Sequence, residues 1–323
     1  MAAEIAGAVN ALPIGAALRV DVPATTSNFG PGFDALGMAL TLCNRFEVVV
    51  VDGARGSVSI EVTGFGADLS RGADNLVLSA LRSAVVALQH DPDQLPALRL
   101  RLDNHVPLGS GLGSSSTAIC GGLALGRALL GLPDDRRWLL DQACALEGHP
   151  DNAAPCVLGG LVTAVVDGGV LALPLPLPEA LCCVAVTPAL TLSTAAMRAA
   201  LPADVPFADA VHNCIRATLL GAALAMGRLD LLALATADRL HEHVRGAFIP
   251  GFEAVRRAGL AAGARAVILS GAGPTLLALL DDDAHAGAIA DGMVAAFAKT
   301  GVDATARVLR PRKSGLEVVR LAQ

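Results

Sequence analysis

Short stretches in which apolar and polar residues alternate, or in which β-branched residues cluster, predict the strands of this chain. Residues 57–63 (SVSIEVT) alternate cleanly, and residues 45–51 (RFEVVVV) are rich in valine. Longer runs in which apolar residues recur with helical spacing separate the strands. The predicted strands are 17–22, 45–51, 57–63, 97–103, 161–166, 181–186, 266–269, 276–280 and 303–308. The predicted helices are 75–88, 118–130, 133–146, 193–201, 207–227, 229–244, 252–262 and 284–299.

The order of the predicted elements in the second half of the chain indicates one kind of domain. Once the helices between 193 and 244 are set aside as an insert, the order is β-α-β-β-α-β, which is typical of the ferredoxin-like fold. Just before it, residues 171–178 (LALPLPLP) carry a proline at every second position from 174 onward. Because proline lacks the N–H that a central strand requires, we expect this segment to connect two domains, residues 1–172 and 173–323.

The composition indicates a globular protein of about two domains. Of 323 residues 53% are hydrophobic, much of this alanine and leucine, and the mean hydropathy is +0.56. No apolar run predicts a membrane span, and no basic residue precedes Arg19, so a secretory signal is not expected. Seven cysteines without a C-x-x-C pair indicate reduced thiols and a cytoplasmic protein. The net charge of -6 gives no basic surface for nucleic acid.

Residues 107–117 (PLGSGLGSSST) form the stretch with the clearest chemical meaning. Glycines at alternate positions permit positive φ angles and expose successive N–H groups. The hydroxyl residues that follow supply a cap for the next helix, whose first turn adds unpaired N–H groups and a positive dipole. Such a turn suits an anion with several oxygens, above all the phosphates of a nucleotide. An ordinary flexible glycine-serine loop is the alternative.

This loop is neither a Walker loop nor a dinucleotide fingerprint, because no Gly-Lys-Ser/Thr follows and serine occupies the place of the third glycine. The chain contains only two lysines, Lys299 and Lys313, and both lie near the C-terminal end. If the protein transfers a phosphoryl group, backbone amides, magnesium and arginines must therefore stabilise the charge.

Residues 26–34 (TSNFGPGFD) form a loop that is fixed by glycines and a proline. It presents Asn28 and Asp34, an amide and an acid that suit a substrate ammonium or hydroxyl. The alternative is an Asx turn whose polar groups serve only the backbone. In the turn at 270–274 (SGAGP), the glycines either form a plain hairpin or let the backbone approach a ligand closely.

Residues 147–152 (EGHPDN) place several polar side chains within one turn. Glu147 closes a predicted helix, and its carboxylate suits magnesium, which takes a few protein oxygens together with phosphates. The alternatives are a hydrogen-bonded loop histidine at His149 and a helix N-cap at Asp151. Two arginines, Arg198 and Arg245, stand on apolar helices, where each is either a carboxylate clamp or a surface cation.

Taken together, these segments resemble the GHMP kinase superfamily and, within it, the homoserine kinase family. The resemblance rests on TSNFGPGFDALGMAL, PLGSGLGSSST, EGHPDNAAPCVLGGLV, LSTAAMRAALP and LSGAGPTLLAL, which occur in the right order and span nearly the whole chain. It implies an α+β fold with an N-terminal domain like ribosomal protein S5 domain 2 and a ferredoxin-like C-terminal domain. It also implies ATP and Mg²⁺ as cofactors, L-homoserine as substrate in threonine biosynthesis, and a homodimer as one possible assembly.

The resemblance further assigns roles to residues. The ATP phosphates would be bound by Pro107, Leu108, Gly109, Ser110, Gly111, Leu112, Gly113, Ser114, Ser115, Ser116 and Thr117, with Asn75 and Val77 toward the adenine. Magnesium would be held near Ser115 and Glu147. Homoserine would be bound by Asn28, Asp34, His149, Thr194, Arg198, Arg245 and Gly271, the arginines on its carboxylate and Asp34 with Asn28 on its ammonium. Catalytic roles would fall to Glu147, Asn152 and Arg245.

Some members of the superfamily, such as mevalonate kinase, have an aspartate cast as the base where Asn152 stands here. A neutral amide cannot take a proton, so we expect catalysis by positioning and electrostatics, with the phosphate itself receiving the proton. Asp151 as the base is the alternative. The chain departs from the family pattern at three places: GSSST in the glycine-rich loop, the segment HEHVR that ends at Arg245, and Phe29. We expect these departures to affect the affinity for the substrate more than the activity itself.

Two other functions remain open from the sequence. One is phosphorylation of another small alcohol, such as mevalonate or a methylerythritol derivative. The other is a nucleotide-binding regulator without turnover. The acidic Asp34 together with two arginines favours an amino acid, because it matches an ammonium as well as a carboxylate.

Overall fold

The computed structural model describes residues 12–322. The strands of this range are Ala17–Ser27 (β1), Leu36–Val50 (β2), Val58–Gly64 (β3), Leu98–Asn104 (β4), Leu161–Val166 (β5), Val170–Leu175 (β6), Cys182–Pro188 (β7), Ala266–Leu269 (β8), Leu276–Leu280 (β9), Ala304–Leu309 (β10) and Glu317–Leu321 (β11). The α-helices are Leu76–Ala87 (α1), Ser114–Leu129 (α2), Arg136–Glu147 (α3), Pro150–Leu158 (α4), Thr194–Ala199 (α5), Phe207–Ala225 (α6), Leu232–Ala235 (α7), Glu242–Gly246 (α8), Phe252–Ala261 (α9) and Ala286–Ala298 (α10).

The first sheet has the strand order β11-β1-β2-β4-β3, and the hairpin β5–β6 joins it through β2. One face buries alternate apolar residues such as Val20, Phe46 and Leu100 against the helices α1 to α4. The opposite face carries charges of alternating sign, because Glu47 pairs in register with Arg19 on one side and with Arg101 on the other. Alternation with period 2 thus produces one core face and one solvated face.

The second sheet has the order β10-β7-β9-β8, and all its neighbouring strands are antiparallel. Its four strands follow the order fourth-first-third-second along the chain, with α9 and α10 packed on one face. The β-α-β-β-α-β order predicted from the sequence is therefore confirmed. The other face of the sheet and the helices α6 and α7 form a core shared with the beginning of β2 (Leu36, Met38 and Leu40), which joins the two sheets.

The prediction that residues 171–178 form a connector was wrong for most of that segment. Val170–Leu175 forms β6, which pairs with β5. Among the described strands it has no second neighbour, so Pro174 lies on an edge strand, where a missing N–H removes no hydrogen bond of the ladder. The proposed domain boundary at 172/173 thus falls inside a strand of the first sheet.

The last strand also corrects the assignment of residues 173–323 to the second domain. Glu317–Leu321 was not predicted as a strand, and it pairs antiparallel with β1 in the first sheet. Where the chain passes from β10 of the second sheet to β11 of the first, hydrogen bonds join Arg310 to Thr41 of β2. The C-terminal residues therefore complete the N-terminal half of the molecule.

The structure also adds one helix and divides another. Residues 150–158 form α4, a helix that is absent from the predicted elements, and Pro150 occupies its first helical position, where the missing N–H costs nothing. The single helix predicted over 229–244 is interrupted before α8. There the Asp238 carboxylate accepts hydrogen bonds from the N–H groups of Leu240, His241 and Glu242, which starts a new helix.

Helices α1 and α2 approach each other closely because α2 carries glycine at the contact. A Cβ atom at Gly122 would lie 2.3 Å from the carbonyl oxygen of Val77 and 2.8 Å from the Cβ of Ala80. We expect Gly122→Ala to lower the free energy of unfolding by about 2 kcal/mol, because backbone must move to make room. Urea denaturation measures this change.

The matched control is Gly221→Ala in α6, where nothing lies within 4 Å of the added Cβ. Alanine there gains helix propensity, so we expect a stabilisation of about 0.5–1 kcal/mol. Equal effects of the two substitutions would contradict the close packing of α1 on α2.

Candidate active site

A cavity of about 960 Å³ lies between the glycine-rich loop, the loop after β1 and the elements α5 and α8 of the second half. Most of the residues that the sequence singles out line it. These are Asn28, Asp34, Asn75, Val77, Leu108, Gly109, Ser110, Gly111, Gly113, Ser114, Ser115, Ser116, Glu147, His149, Asn152, Thr194, Arg198, Arg245 and Gly271. Segments that lie more than 240 residues apart in the chain thus meet in one place, as Asn28 and Gly271 show by a direct hydrogen bond (separation 243).

Three residues predicted to bind ATP do not line the cavity. Leu112 is fully buried in the core between the two sheets. Thr117 donates a hydrogen bond to the carbonyl of Ser114 and accepts one from Asn44, and Pro107 is buried with its carbonyl bonded to Ser110. These three residues stabilise the conformation of the glycine-rich loop.

The glycine-rich loop is clamped between β1 and the turn after β8. The N–H of Thr25 donates to the carbonyl of Leu112 (3.1 Å), and the N–H of Thr275 donates to the carbonyl of Ser110 (3.1 Å). Gly113 has φ 71°, and a Cβ there would lie 2.0 Å from the Thr25 hydroxyl oxygen. Glycine is therefore required at this position for both its backbone conformation and its size.

The predicted cap by a hydroxyl side chain is not present at the start of α2. Gly113 occupies the N-cap position and offers no side chain, and the first N–H with an acceptor in the helix is that of Thr117. In the described chain, the N–H groups of residues 114–116 have no acceptor. The helix thus presents free donors to the cavity, where a side-chain cap would compete with an anion for them.

Asn44 is a residue at the cavity that the sequence analysis did not single out. Its side-chain oxygen accepts hydrogen bonds from the N–H groups of His105 and Val106, and its Nδ2 donates to Thr117. It therefore ties the end of β4 to the first turn of α2 from below the loop. Its only signal in the sequence is a polar residue within a β-rich stretch.

The carboxylate of Glu147 lies beside the first turn of α2. Its Oε1 accepts hydrogen bonds from the hydroxyls of Ser115 (3.0 Å) and Ser116 (2.5 Å). Its Oε2 is buried and has no hydrogen-bond partner in the described chain. Burial raises the pKa of this carboxyl above its usual value, and the hydrogen bond from Ser116 opposes that effect. An unpartnered buried carboxylate oxygen beside the free N–H groups suits a cation that accompanies phosphates.

Asp34 and Arg198 form an ion pair in the cavity. Both guanidinium Nη atoms of Arg198 donate to the two carboxylate oxygens of Asp34, at 2.8 and 2.7 Å. Both side chains remain partly exposed, so the pair is accessible from the cavity. The hydrogen bond to Asp34 raises the pKa of Arg198. Groups predicted to bind opposite ends of one zwitterion thus bind each other here.

Arg245 is buried and has no carboxylate partner among the described residues. Its Nη1 donates to the carbonyl of Gly271 (3.2 Å) and lies 3.4 Å from Nδ1 of His241, while its Nε has no partner. Burial lowers the pKa of this guanidinium, and the charge of Arg198 adds to that effect. A buried cation that lines a cavity without a counter-ion favours an anionic ligand.

The side chains of Asp151 and Asn152 are held by hydrogen bonds at the base of the cavity. Asp151 is buried and accepts a hydrogen bond from Nδ1 of His149 (2.7 Å), which raises the pKa of that histidine. Asn152 donates to Ser27 and to Asp151 and accepts from Thr25. The amide is thus fixed in orientation, and the motif TSNFGPGFD supplies one of its partners, Ser27, while Thr25 directly precedes the motif.

The side chain of Asn28 is used within the protein. Its Nδ2 donates to the carbonyl of Gly271 (3.0 Å), and its Oδ1 accepts from the N–H of Asp34 (3.0 Å). Asn28 and Asp34 both have positive φ, 73° and 55°. The polar groups of Asn28 thus bond to the backbone, but over six or more residues and not in an Asx turn, and the amide fixes the loop that presents Asp34.

A separate part of the cavity is apolar. Leucines from several loops and helices line it, and Leu69 and Leu108 both lie against Gly66. Asn75 caps α1 through hydrogen bonds from the N–H groups of Val77 and Leu78 and donates to the carbonyl of Ser70. Leu108, Asn75 and Val77 are among the residues predicted to bind ATP, whereas an isolated loop leucine such as Leu69 gives no signal in the sequence and was not predicted.

Comparison with known proteins identifies the family of this chain. The N-terminal domain of the GHMP kinases matches residues 75–160, and the C-terminal domain of the GHMP kinases matches residues 215–299. A homoserine kinase of Moorella thermoacetica is 41% identical over 302 residues, which cover 93% of this chain and 99% of the relative. A homoserine kinase of a Synechococcus strain is 42% identical over 305 residues, with 93% and 97% covered.

Solved structures give the same result for the fold. The crystal structure of homoserine kinase from Cytophaga hutchinsonii superposes with a TM-score of 0.85 at 28% identity, covering 95% of this chain and 99% of that one. Mevalonate kinase of L. major is 16% identical with a TM-score of 0.70, which shows the shared fold alone. The α+β, two-domain GHMP kinase fold is therefore confirmed, and this chain belongs to the homoserine kinase family of the GHMP kinases.

Proposed function

We propose that this protein transfers the γ-phosphoryl group of ATP to the side-chain hydroxyl of L-homoserine. The observation that carries the proposal is the arrangement of charge in the cavity. One end combines the carboxylate of Asp34 with the guanidinium groups of Arg198 and Arg245, and the other end combines free N–H groups of α2 with Glu147. An amino acid that carries an alcohol matches the first end, and a nucleotide triphosphate matches the second.

The ion pair between Asp34 and Arg198 favours a zwitterionic substrate. A ligand that opens the pair leaves each partner without a counter-ion unless the ligand itself carries both charges. The ammonium and carboxylate of L-homoserine replace both interactions, and Arg245 supplies a second cation for the carboxylate. Mevalonate carries a carboxylate and no ammonium, so it would leave Asp34 unpaired.

Backbone groups take the place of a phosphate-binding lysine in this proposal. Lys299 and Lys313, the only lysines of the sequence, do not line the cavity. The N–H groups of residues 114–116 and the dipole of α2 are positioned to bind the phosphates. The leucines of the apolar part, with Asn75 and Val77, would receive the adenine.

The donor set at Glu147 fits Mg²⁺. Its partnerless Oε2 and the hydroxyl of Ser115 are hard oxygen ligands beside the phosphate-binding N–H groups, which is the setting in which proteins hold magnesium together with phosphates. Bound there, the ion would supply positive charge against the charge of the phosphates. Glu147 and Ser115 would hold it in place.

Catalysis in this proposal depends on position and charge. Asn152 is fixed by Thr25 and Ser27 and cannot accept a proton, so it orients the substrate hydroxyl toward the phosphate. The hydroxyl proton then goes to an oxygen of the transferred phosphate. The positive charges around the γ-phosphate stabilise the loose transition state of phosphoryl transfer.

Substitution of Asp151 by asparagine tests the alternative in which Asp151 is the base. Asparagine keeps an oxygen that accepts the hydrogen bond from His149, so we expect kcat to fall by no more than about tenfold and the KM for ATP to stay unchanged. Steady-state kinetics of Asp151→Asn measure this. Complete loss of turnover with ATP binding intact would instead assign the proton to Asp151.

A substrate panel tests the proposed function. Purified protein with Mg²⁺ and ATP is incubated with L-homoserine, mevalonate or a methylerythritol derivative, and ADP release and the phosphorylated product are measured. We expect turnover with L-homoserine and none with the other alcohols. Turnover of mevalonate would favour a different kinase of the superfamily, and ATP binding without turnover of any alcohol would favour a regulator. A homodimer stays a prediction from the family resemblance, and a cytoplasmic location stays a prediction from the cysteines.

A further inference from the structure

The ring of Phe33 lies among three basic side chains of the substrate end of the cavity. Its centroid is 5.5 Å from the guanidinium carbon of Arg198 and 5.0 Å from that of Arg245. The ring of His241 is 4.9 Å away, tilted by 42°. Phe33 comes directly before Asp34, the carboxylate partner of Arg198, so a single turn supplies both an acid and an aromatic face to the arginines.

An aromatic ring next to the two guanidinium groups offsets the repulsion between their like charges. They converge on one cavity wall with the same charge, and the charge of Arg198 contributes to the lowered pKa of Arg245. Arg198 has a carboxylate partner, whereas Arg245 has a buried Nε without one. The face of an aromatic ring carries negative potential and attracts a cation placed over it. Phe33 is the ring that both guanidinium groups share.

Phe33 has little part in the hydrophobic core. It is half-buried, and it belongs to none of the buried apolar clusters of the described chain. Its neighbour in the same loop, Phe29, is the opposite case, since it is fully buried and packs in the core between the sheets. The two phenylalanines of this loop therefore have different roles, one in packing and one at the arginines.

We propose that Phe33 is a positioning residue that holds Arg198 and Arg245 in the orientation that receives the carboxylate of the amino-acid substrate. The inference rests on the proposed function, because it assigns the carboxylate of L-homoserine to these arginines. Phe33 itself does not line the cavity. It acts through the two guanidinium groups, so its loss weakens substrate binding and leaves the phosphate end unaffected.

The test compares Phe33→Leu, which keeps apolar bulk without an aromatic face, with Phe33→Tyr, which keeps the face. For Phe33→Leu we expect the KM for L-homoserine to rise about tenfold, with kcat within about twofold of wild type and the KM for ATP unchanged. For Phe33→Tyr we expect the KM for L-homoserine of the wild type. Phe207→Leu, which removes an exposed ring outside the cavity, is the matched control and changes none of these constants.

A second measurement separates binding from chemistry. L-2-aminobutyrate carries the same ammonium and carboxylate as L-homoserine but has no hydroxyl, so its inhibition constant reports binding alone. We expect this constant to rise in Phe33→Leu by the same factor as the KM. The wild-type protein is assayed with L-homoserine first, and absence of turnover there contradicts the proposed function rather than the role of Phe33.

Three results would overturn the proposal in a protein that does phosphorylate L-homoserine. The first is a wild-type KM in Phe33→Leu. The second is a parallel loss of kcat and of ATP affinity, which would show a general distortion of the site. The third is a Phe33→Tyr variant as impaired as Phe33→Leu, which would show that shape and not the aromatic face matters.

Discussion

Replacement of Arg245 by alanine is expected to raise the KM for L-homoserine about 100-fold, with little change in the KM for ATP. The guanidinium is buried at the cavity without a carboxylate partner, so its charge is available to the substrate carboxylate. Loss of a hydrogen bond to a charged group costs about 2–3 kcal/mol, which corresponds to a change of this size in affinity. Initial rates over a range of L-homoserine concentrations give the KM.

Arg239→Ala is the matched control for Arg245→Ala. Arg239 lies on the same segment, pairs with Asp209 at the surface and does not line the cavity. We expect wild-type constants for it. Arg245→Lys should give an intermediate KM, since lysine keeps the charge but lacks the planar pair of donors. An unchanged KM in Arg245→Ala would mean that the substrate carboxylate lies elsewhere.

Replacement of Glu147 by glutamine should lower kcat roughly 100-fold and raise the Mg²⁺ concentration needed for half-maximal rate. Glutamine has nearly the same shape, and its side-chain oxygen still accepts the hydrogen bonds from Ser115 and Ser116. The substitution therefore removes the negative charge while it keeps the local structure. The kcat is measured as a function of Mg²⁺ at saturating ATP and L-homoserine.

Glu47→Gln provides the comparison for Glu147→Gln. Glu47 lies on the solvated face of the first sheet between Arg19 and Arg101, away from the cavity. Its replacement should leave both kcat and the Mg²⁺ dependence as in the wild type. If Glu147→Gln shows the wild-type dependence on Mg²⁺, the carboxylate does not hold the ion, and the donor set of the site must be reassigned.

Local chemistry explains why much of the site could be predicted from the sequence. The position of Gly113 requires a positive φ and has no space for a Cβ. Glycine in the sequence is therefore itself a sign of a tightly packed turn at this position. Asp34, Arg198 and Arg245 carry charges on segments that are otherwise apolar or turn-forming, and the structure brings all of them to one cavity. Residues with a chemical role of their own are visible in the sequence because little else explains them.

Residues that act through their neighbours were not predictable in the same way. Asn44 supports the glycine-rich loop by hydrogen bonds to residues about 60 and 73 positions away, and no local pattern reports such contacts. Phe33 lies in a recognised motif, yet its place between two guanidinium groups depends on helices far along the chain. Tertiary structure alone creates these roles.

The errors in the fold have a common physical cause. Residues 171–178 were predicted to be a connector because of their prolines. An edge strand tolerates proline, however, and β6 has one neighbour among the described strands. Residues 317–321 are only moderately apolar, and they become a strand because β1 offers them an unpaired edge. Pairing across the sheet overrides the local preference in both cases.

The return of β11 to β1 has a consequence for biosynthesis. As the chain leaves the ribosome, β1 emerges early, but β11, which covers its outer edge, follows every other described strand in the chain. Throughout translation, the nascent N-terminal half therefore carries an open row of N–H and C=O groups, which invites pairing with other chains. A truncation that ends after β10 would keep this edge permanently exposed, so aggregation would be its characteristic failure even with every residue of the cavity present.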